Sequence, residues 1–310
     1  MARRPRGEKV DGWVILDKPV GLGSTLAVGK VRRLFGAQKA GHGGTLDPLA
    51  SGVLPIALGE ATKTVPFVMD GAKEYRFTLR FGEARSTEDA EGEVTAVSDV
   101  RPTDDAIRSA LPAFLGEIEQ VPPAFSALKI EGRRAYDLAR AGETVDLAPR
   151  RVRIERLELL GRPDLDHADF VVGCGKGTYI RSLARDMGRA LGCLGHVSRL
   201  RRVAVGPFAE AHMISLEKLE EFSHRAPSEN SLWTFLRPIE TVLDGIPALA
   251  VLEPEAKRLK QGQRVWLPEA QALGETEAVL ITHDGRPLGL FRIENGVLKA
   301  IRMFNLDARS

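Results

Sequence analysis

Cysteine is nearly missing from this chain of 310 residues, which has only Cys174 and Cys193. Two thiols cannot build a disulfide framework or a cysteine-rich zinc site, and their scarcity fits the reducing cytoplasm. The six histidines, at 42, 167, 196, 212, 224 and 283, form no H-x-x-x-H pair, and there is no C-x-x-C. The pattern therefore supports no metal. No run approaches the roughly 18 apolar residues of a membrane span. The basic start, Met1 to Lys9, is followed by no apolar segment of the kind a secretory leader carries, so neither anchor nor leader is expected. Charge of one sign is also lacking: 44 Lys+Arg against 42 Asp+Glu leaves +2. A surface for a polyanion must come from local clustering.

What remains is an ordinary soluble composition, 43% hydrophobic and 28% charged, long enough for two domains. Residues 1–10 read as a basic tail. Gly12 to Lys18 reads as a short buried strand. Ser24 is placed to N-cap a helix to about Phe35, with Val28, Val31, Leu34 and Phe35 at helical spacing and Gly36 at the stop. Residues 37–60 are rich in Gly, Thr, Asp and Pro and read as a long loop. Tyr75, Phe77, Leu79 and Phe81 alternate with Arg76, Thr78 and Arg80, which predicts a strand. Thr103 or Asp104 starts a helix to about Leu115, and 132–141 suggests a short one. Val152 to Leu160 and Asp169 to Gly173 suggest strands. Ile180, Leu183, Ala184, Met187, Ala190 and Leu191 form a helical stripe that ends at Gly192.

Strands and helices mix without a βαβ beat, which favours α+β. The segment 223–247, with its prolines and His224 to Ser231, reads as a boundary. Beyond it, Asp284-Gly285 and Asn295-Gly296 separate three apolar runs, a strong hairpin signal. The expected layout is a tail over 1–10, a larger domain over 11–246, and a small, mostly β domain over 247–310.

Two glycine-rich segments draw attention. Gly173-Cys-Gly-Lys-Gly-Thr178 fails the Walker A spacing, and its sixth position, Thr178, breaks G-x-G-x-x-G. Neither an ATPase nor a nicotinamide enzyme is expected. Gly41-His-Gly-Gly-Thr-Leu-Asp-Pro-Leu-Ala-Ser-Gly52 is different. Glycines let His42 approach a ligand closely, and Pro48 holds Asp47 extended and limits where its carboxylate points. Asp-Pro is also a common turn pair, so the plainer reading is a loop. Lys176 to Arg181 opens the second stripe. Arg181 could favour the charged form of a nearby carboxylate, and Tyr179 could stack on a planar ligand. Both could equally be a core tyrosine and a surface charge. Arg150, Arg151, Arg153 and the run Arg199-Leu-Arg-Arg202 suit phosphates or a solvated face.

Taken in order, these segments resemble the bacterial TruB family of tRNA pseudouridine synthases. Gly12 to Pro19 is similar to the family's N-terminal motif, and Gly41 to Pro55 to its catalytic motif. Gly59-Glu-Ala-Thr-Lys63, Lys73-Glu-Tyr-Arg76, Thr87-Glu-Asp-Ala-Glu-Gly92, Pro122 to Lys129 and Lys176 to Arg181 follow as in the family. The C-terminal part is similar, more weakly, to its small PUA-like domain. Gly43 stands where the family usually has Thr, Gly23 and Gly175 where Ser is common, and Phe125 where Tyr is common.

The resemblance implies a mixed, largely antiparallel pseudouridine-synthase sheet with flanking helices, and isomerisation of uridine 55 in the T-loop of tRNA. It implies Asp47 as the essential carboxylate, Arg181 as its counter-ion, and Tyr75 stacking on the flipped uracil and helping remove its C5 proton. His42 would fill the place the base leaves. Tyr179 and Leu200 would wall the pocket, with Lys18 at its rim. Lys30, Arg32, Arg33, Lys39, Arg199, Arg201 and Arg202 are candidates for the RNA backbone. No cofactor or membrane is implied, and a monomer in the cytoplasm is expected. Two alternatives stay open: a synthase for another RNA, and a non-catalytic RNA-binding or RNA-folding module. A glycosidase is disfavoured, because only Asp47 has a motif and that chemistry usually uses two carboxylates.

Overall fold

The structure, a computed structural model, describes residues 7–126, 128–130, 132–143, 145–223 and 231–306. A ten-stranded mixed sheet organises the larger part. Its main path runs Ile214–Ser215, Gly12–Lys18, Ala50–Leu58, Gly195–Val205, Lys73–Phe81, His167–Cys174, Arg150–Gly161 and Gly116–Gln120. Only the first and third of these pairings are parallel, so the sheet is largely antiparallel.

The Lys73–Phe81 strand is central, and the alternation read from its sequence holds in part: Phe77, Leu79 and Phe81 are buried as expected, but Thr78 is buried as well and Tyr75 is half-buried. Phe77, Leu79 and Phe81 enter a core with the Ile180–Ala190 helix, which contributes Ile180, Leu183, Ala184 and Met187. The Ser24–Leu34 helix covers a second core, buried through Ala27 and Val31. A third core joins Trp13, Val53 and Phe208 to Leu280, Leu290 and Phe304 of the C-terminal part.

That part forms its own five-stranded sheet over a separate cluster. The expected strands are Thr276–His283, Arg286–Glu294 and Val297–Met303. Asp284, Gly285, Asn295 and Gly296 all take positive φ, as tight hairpin turns between right-twisted strands require. The helices Glu253–Lys260 and Pro268–Leu273 accompany the sheet.

Three sequence expectations need correction. Half of 37–60 is strand, not loop: Ala40–His42 and the nine-residue Ala50–Leu58 pair with each other. Ala50–Leu58 lies deep in the sheet and is buried on both faces, so it has no polar alternation to betray it. Ser24 is not the N-cap, because Gly23 holds that position without a side-chain bond. Of the basic tail, residues 1–6 lie outside the described residues. Glu8 is already fixed, its N–H donating to the Gly36 carbonyl at 2.7 Å, and Val10 is buried. Of the expected boundary, 224–230 also lies outside the described residues.

Candidate active site

Seven residues, 43–49, span the gap between the Ala40–His42 and Ala50–Leu58 strands and carry Asp47. Their backbone is held from every side. The Gly43 N–H donates to the Pro55 carbonyl at 2.8 Å. The Ser24 hydroxyl donates to the Leu46 carbonyl at 2.8 Å and accepts from the Leu46 N–H at 2.9 Å. This use of Ser24 explains why it does not cap its helix. The Gly21 N–H and the Lys18 ammonium both donate to the Pro48 carbonyl, at 2.8 and 3.3 Å.

Lys18 is therefore not at a pocket rim, as the resemblance implied. It is fully buried behind the loop, also donating to the Pro19 and Leu22 carbonyls. Burial lowers its pKa to about 8, partly offset by Asp47. Arg202 likewise leaves the expected RNA surface. It is 1% exposed and donates to Val53, Gly44 and Thr45 carbonyls at 2.8, 3.0 and 3.4 Å. Gly44 has φ near 125°, a backbone state that side chains rarely adopt, and a Cβ there would sit 3.4 Å from Arg202 Nη1.

Arg181 arrives from the first turn of the Ile180–Ala190 helix. The preceding Tyr179 N–H is held by Gln120 Oε1 at 2.8 Å. Arg181 is almost wholly buried. Its Nη1 donates to the Thr87 carbonyl at 3.0 Å and its Nη2 to the Phe125 carbonyl at 2.9 Å. Nε faces Asp47 Oδ2 at 3.0 Å, with Asp89 Oδ2 at 3.7 Å. A guanidinium fixed at both ends and aimed at a half-exposed carboxylate fits a charged reactive group better than a structural pair.

Two cavities meet at this pair. One, of about 580 Å³, is lined by Asp47, Tyr75, Tyr179, Arg181, Leu200 and Arg202. It has room for a base walled by two aromatic rings and an aliphatic chain. Arg150, Arg151 and Lys176 also line it, although Lys176 is paired with Asp70 at 2.9 Å. The other, of about 880 Å³, contains His42 together with Asp47, Arg181, Phe125 and Tyr136. The cavity of His42 thus shares Asp47 and Arg181 with the first, but not Tyr75, Tyr179 or Leu200. Its Nδ1 is buried without a hydrogen-bond partner among the described residues. Burial, and then the charge of Arg202, lower its pKa, favouring a neutral ring. Burial pushes the Tyr75 phenol up, and the Arg202 guanidinium opposes this. Burial raises Tyr179 as well.

The expected RNA surface is only partly available. Lys39, Arg32, Arg33 and Arg199 are exposed. Lys30 lies 4.0 Å from Glu220. Arg201 is engaged by Asp17 at 3.0 Å and Glu210 at 2.6 Å, which offsets its charge. Among the described residues, no helix is long and apolar enough to cross a membrane.

Two contributors were not singled out from the sequence, and a third was read for another role. Asp89 sat in a quoted motif without a role, Gln120 carried no signal, and Ser24 was read as a helix cap. Only the folded chain brings them to Arg181, Tyr179 and Leu46.

Comparison with known proteins identifies the family. Residues 32–180 match the model of the TruB family pseudouridylate synthase N-terminal domain. Residues 181–244 match the tRNA pseudouridylate synthase B C-terminal domain, and 247–304 match a pseudouridine synthase II TruB C-terminal model. The tRNA pseudouridine synthase B of Bradyrhizobium diazoefficiens is 58% identical, over 98% of this chain and 88% of that protein. The chain belongs to the TruB family. The tRNA pseudouridine synthase B of Gluconacetobacter diazotrophicus is 54% identical, over 97% and 99% of the two chains. A crystal structure of a Cbf5-Nop10-Gar1 complex aligns with a TM-score of 0.71 at 26% identity, covering 94% of this chain and 84% of that one. This TruB chain therefore has the mixed α+β pseudouridine-synthase fold with a C-terminal β domain.

Proposed function

We propose that the chain converts uridine to pseudouridine in tRNA, at position 55 of the T-loop. The observation that carries the reading is the Asp47–Arg181 pair at 3.0 Å, placed where the two cavities meet. The relatives named tRNA pseudouridine synthase B support tRNA as the substrate.

The reaction breaks the N1–C1′ bond, turns the base and joins C5 to C1′. The C5 proton is lost and N1 gains one, so no oxidant and no group donor enters. The base must first leave its stack, at a cost of about a few kcal/mol. In this reading it enters the Tyr75 cavity, while His42, neutral and in the adjoining cavity, takes its place in the loop. The Asp47 carboxylate then attacks the nucleotide, at C1′ or C6, or removes a ribose proton. Arg181, fixed by the Thr87 and Phe125 carbonyls, orients it. Tyr75 stacks on the uracil and helps take the C5 proton. Its side chain lines the cavity that Asp47 also lines, beside Arg202. Tyr179 and Leu200 hold the base between them.

The exposed cations Lys39, Arg32, Arg33 and Arg199 bind the phosphates, and the C-terminal β domain touches the distal acceptor end. The test is tritium release from a T-stem-loop RNA carrying C5-labelled uridine at position 55 alone. Release with this RNA, and none when the label sits at another loop uridine, is expected. No release from either RNA contradicts the reading.

A further inference from the structure

Arg181 is oriented by two carbonyls, of Thr87 and Phe125, on segments outside any helix or strand. Something must hold those carbonyls in turn. The next polar residues of the same helix, Ser182 and Arg185, do so. The Ser182 hydroxyl shares its proton between Glu88 Oε2 at 3.1 Å and the Val121 carbonyl at 2.9 Å. Arg185 Nη1 meets Glu88 Oε1 at 2.5 Å, and Nη2 donates to the Val121 carbonyl at 3.0 Å. Each segment is therefore pinned twice to one helix: the first at 87 and 88, the second at 121 and 125.

Glu88 itself has φ near 62°. Among the described residues, the other non-glycine residues with positive φ, Asp284 and Asn295, sit in hairpin turns and are of types that tolerate the left-handed region. A glutamate there is strained, because its Cβ crowds the following carbonyl. The strain persists because the residue is fixed on all sides: its carboxylate as above, its N–H on the Arg85 carbonyl at 3.0 Å, and its carbonyl on the Val197 N–H at 3.1 Å. Backbone strain of this kind concentrates at functional sites. Here the strained turn directs the Thr87 carbonyl to Arg181 Nη1, and the next residue brings Asp89 Oδ2 to 3.7 Å from Arg181 Nε.

We propose that Glu88, clamped by Arg185 and Ser182, is a positioning residue: it sets the plane of the Arg181 guanidinium so that Nε faces Asp47. This rests on the reading of Asp47 and Arg181 as the reacting pair. With Nη1 held by the Thr87 carbonyl and Nη2 by the Phe125 carbonyl, the plane of the guanidinium is fixed with its Nε edge toward Asp47. If the 87–89 turn relaxes, the plane tilts and the carboxylate loses its partner before any contact with RNA changes.

The test uses the full chain with Glu88→Gln, Glu88→Gly and Arg185→Met. Glu88→Gln keeps the shape but removes the charge, whereas Glu88→Gly removes the backbone strain as well as the anchor. Single-turnover tritium release at saturating RNA is expected to fall about 10- to 100-fold in all three. RNA affinity should be unchanged. Glu88→Gln combined with Arg185→Met should be no slower than either alone. A second readout does not depend on activity. In protein labelled with ¹⁵N-arginine, the Arg181 Nε–H signal should exchange slowly with water in the wild type and faster in Glu88→Gln. Wild-type rates in Glu88→Gln and Glu88→Gly, additive losses, or an undisturbed Arg181 signal would overturn the proposal. If the wild type itself releases no tritium, the functional reading falls, and the Arg181 signal still decides the positioning claim.

Discussion

Arg202 lies directly opposite Tyr75 in the antiparallel pairing of the Gly195–Val205 and Lys73–Phe81 strands, so both side chains leave the same face of the sheet. Both line the same cavity, and the Arg202 guanidinium opposes the rise of the Tyr75 pKa. The same guanidinium also reaches three carbonyls, those of Gly44 and Thr45 before Asp47 and that of Val53 after it. Tyr75 and the loop therefore share one support.

Arg202→Lys should fail to replace the arginine. An ammonium on a flexible stem cannot reach three divergent carbonyls as the rigid fork does. Stranding even one of them buried costs about 1–3 kcal/mol. Urea unfolding should show at least that loss, and amide exchange should quicken at 43–49. Equal stability of Arg202→Lys and wild type would contradict the assignment.

Gly43 departs from the threonine usual in the family, and the packing explains it. A Cβ at this position would lie 2.6 Å from Val68 Cγ1 and 3.1 Å from Val68 Cβ. Gly43→Thr should therefore destabilise by about 1–3 kcal/mol, as overpacking does. Adding Val68→Ala should recover part of that loss, measurable by thermal melting of the two variants. No recovery would mean that the contact with Val68 is not the constraint.

Lys18 gives a pH prediction with a definite sign. Its pKa falls from 10.5 to about 8 on folding. Between these values the unfolded chain binds the proton and the folded chain does not, so stability rises with pH through this term. Below about pH 8 both states are protonated, and the burial penalty is present in full. The stability of wild type relative to Lys18→Met should climb from pH 8 to 10.5 and be flat below. Denaturation at several pH values would show it, and a constant difference would contradict it.

The exposed and engaged arginines should separate in salt titrations of RNA binding. Changing Arg32, Arg33 or Arg199 to Ala should each flatten the log–log salt dependence by about one unit for a direct phosphate contact. Arg201→Gln should leave the slope unchanged, because Asp17 and Glu210 already hold that charge. Identical slopes for all four would contradict this division.

The parts of the fold that announced themselves did so by local rules. Phe77, Leu79 and Phe81 alternate because one face of their strand meets the core, and Asp284-Gly285 marks a turn that only such residues adopt easily. The Ala50–Leu58 strand was hidden because it is buried throughout, and because Gly52 and Pro55 interrupt it. The site was legible in the same uneven way. Asp47, Tyr75, Tyr179, Leu200 and Arg181 line one cavity as the motifs implied. The neighbouring arginines misled, because Arg201 and Arg202 look alike in a basic run. Strand geometry sends one to carboxylates and the other into the core. No local rule connects Glu88 or Asp89 with Arg181, since the contact exists only after the sheet has formed.

Asp47→Asn decides the central claim. The amide keeps the size of the carboxylate but cannot serve as nucleophile or base. Tritium release and T-stem-loop affinity should be measured on the same preparations of wild type and variant. The account predicts release by the wild type, none above background by Asp47→Asn, and comparable RNA binding by both. Release by Asp47→Asn at the wild-type rate would contradict it.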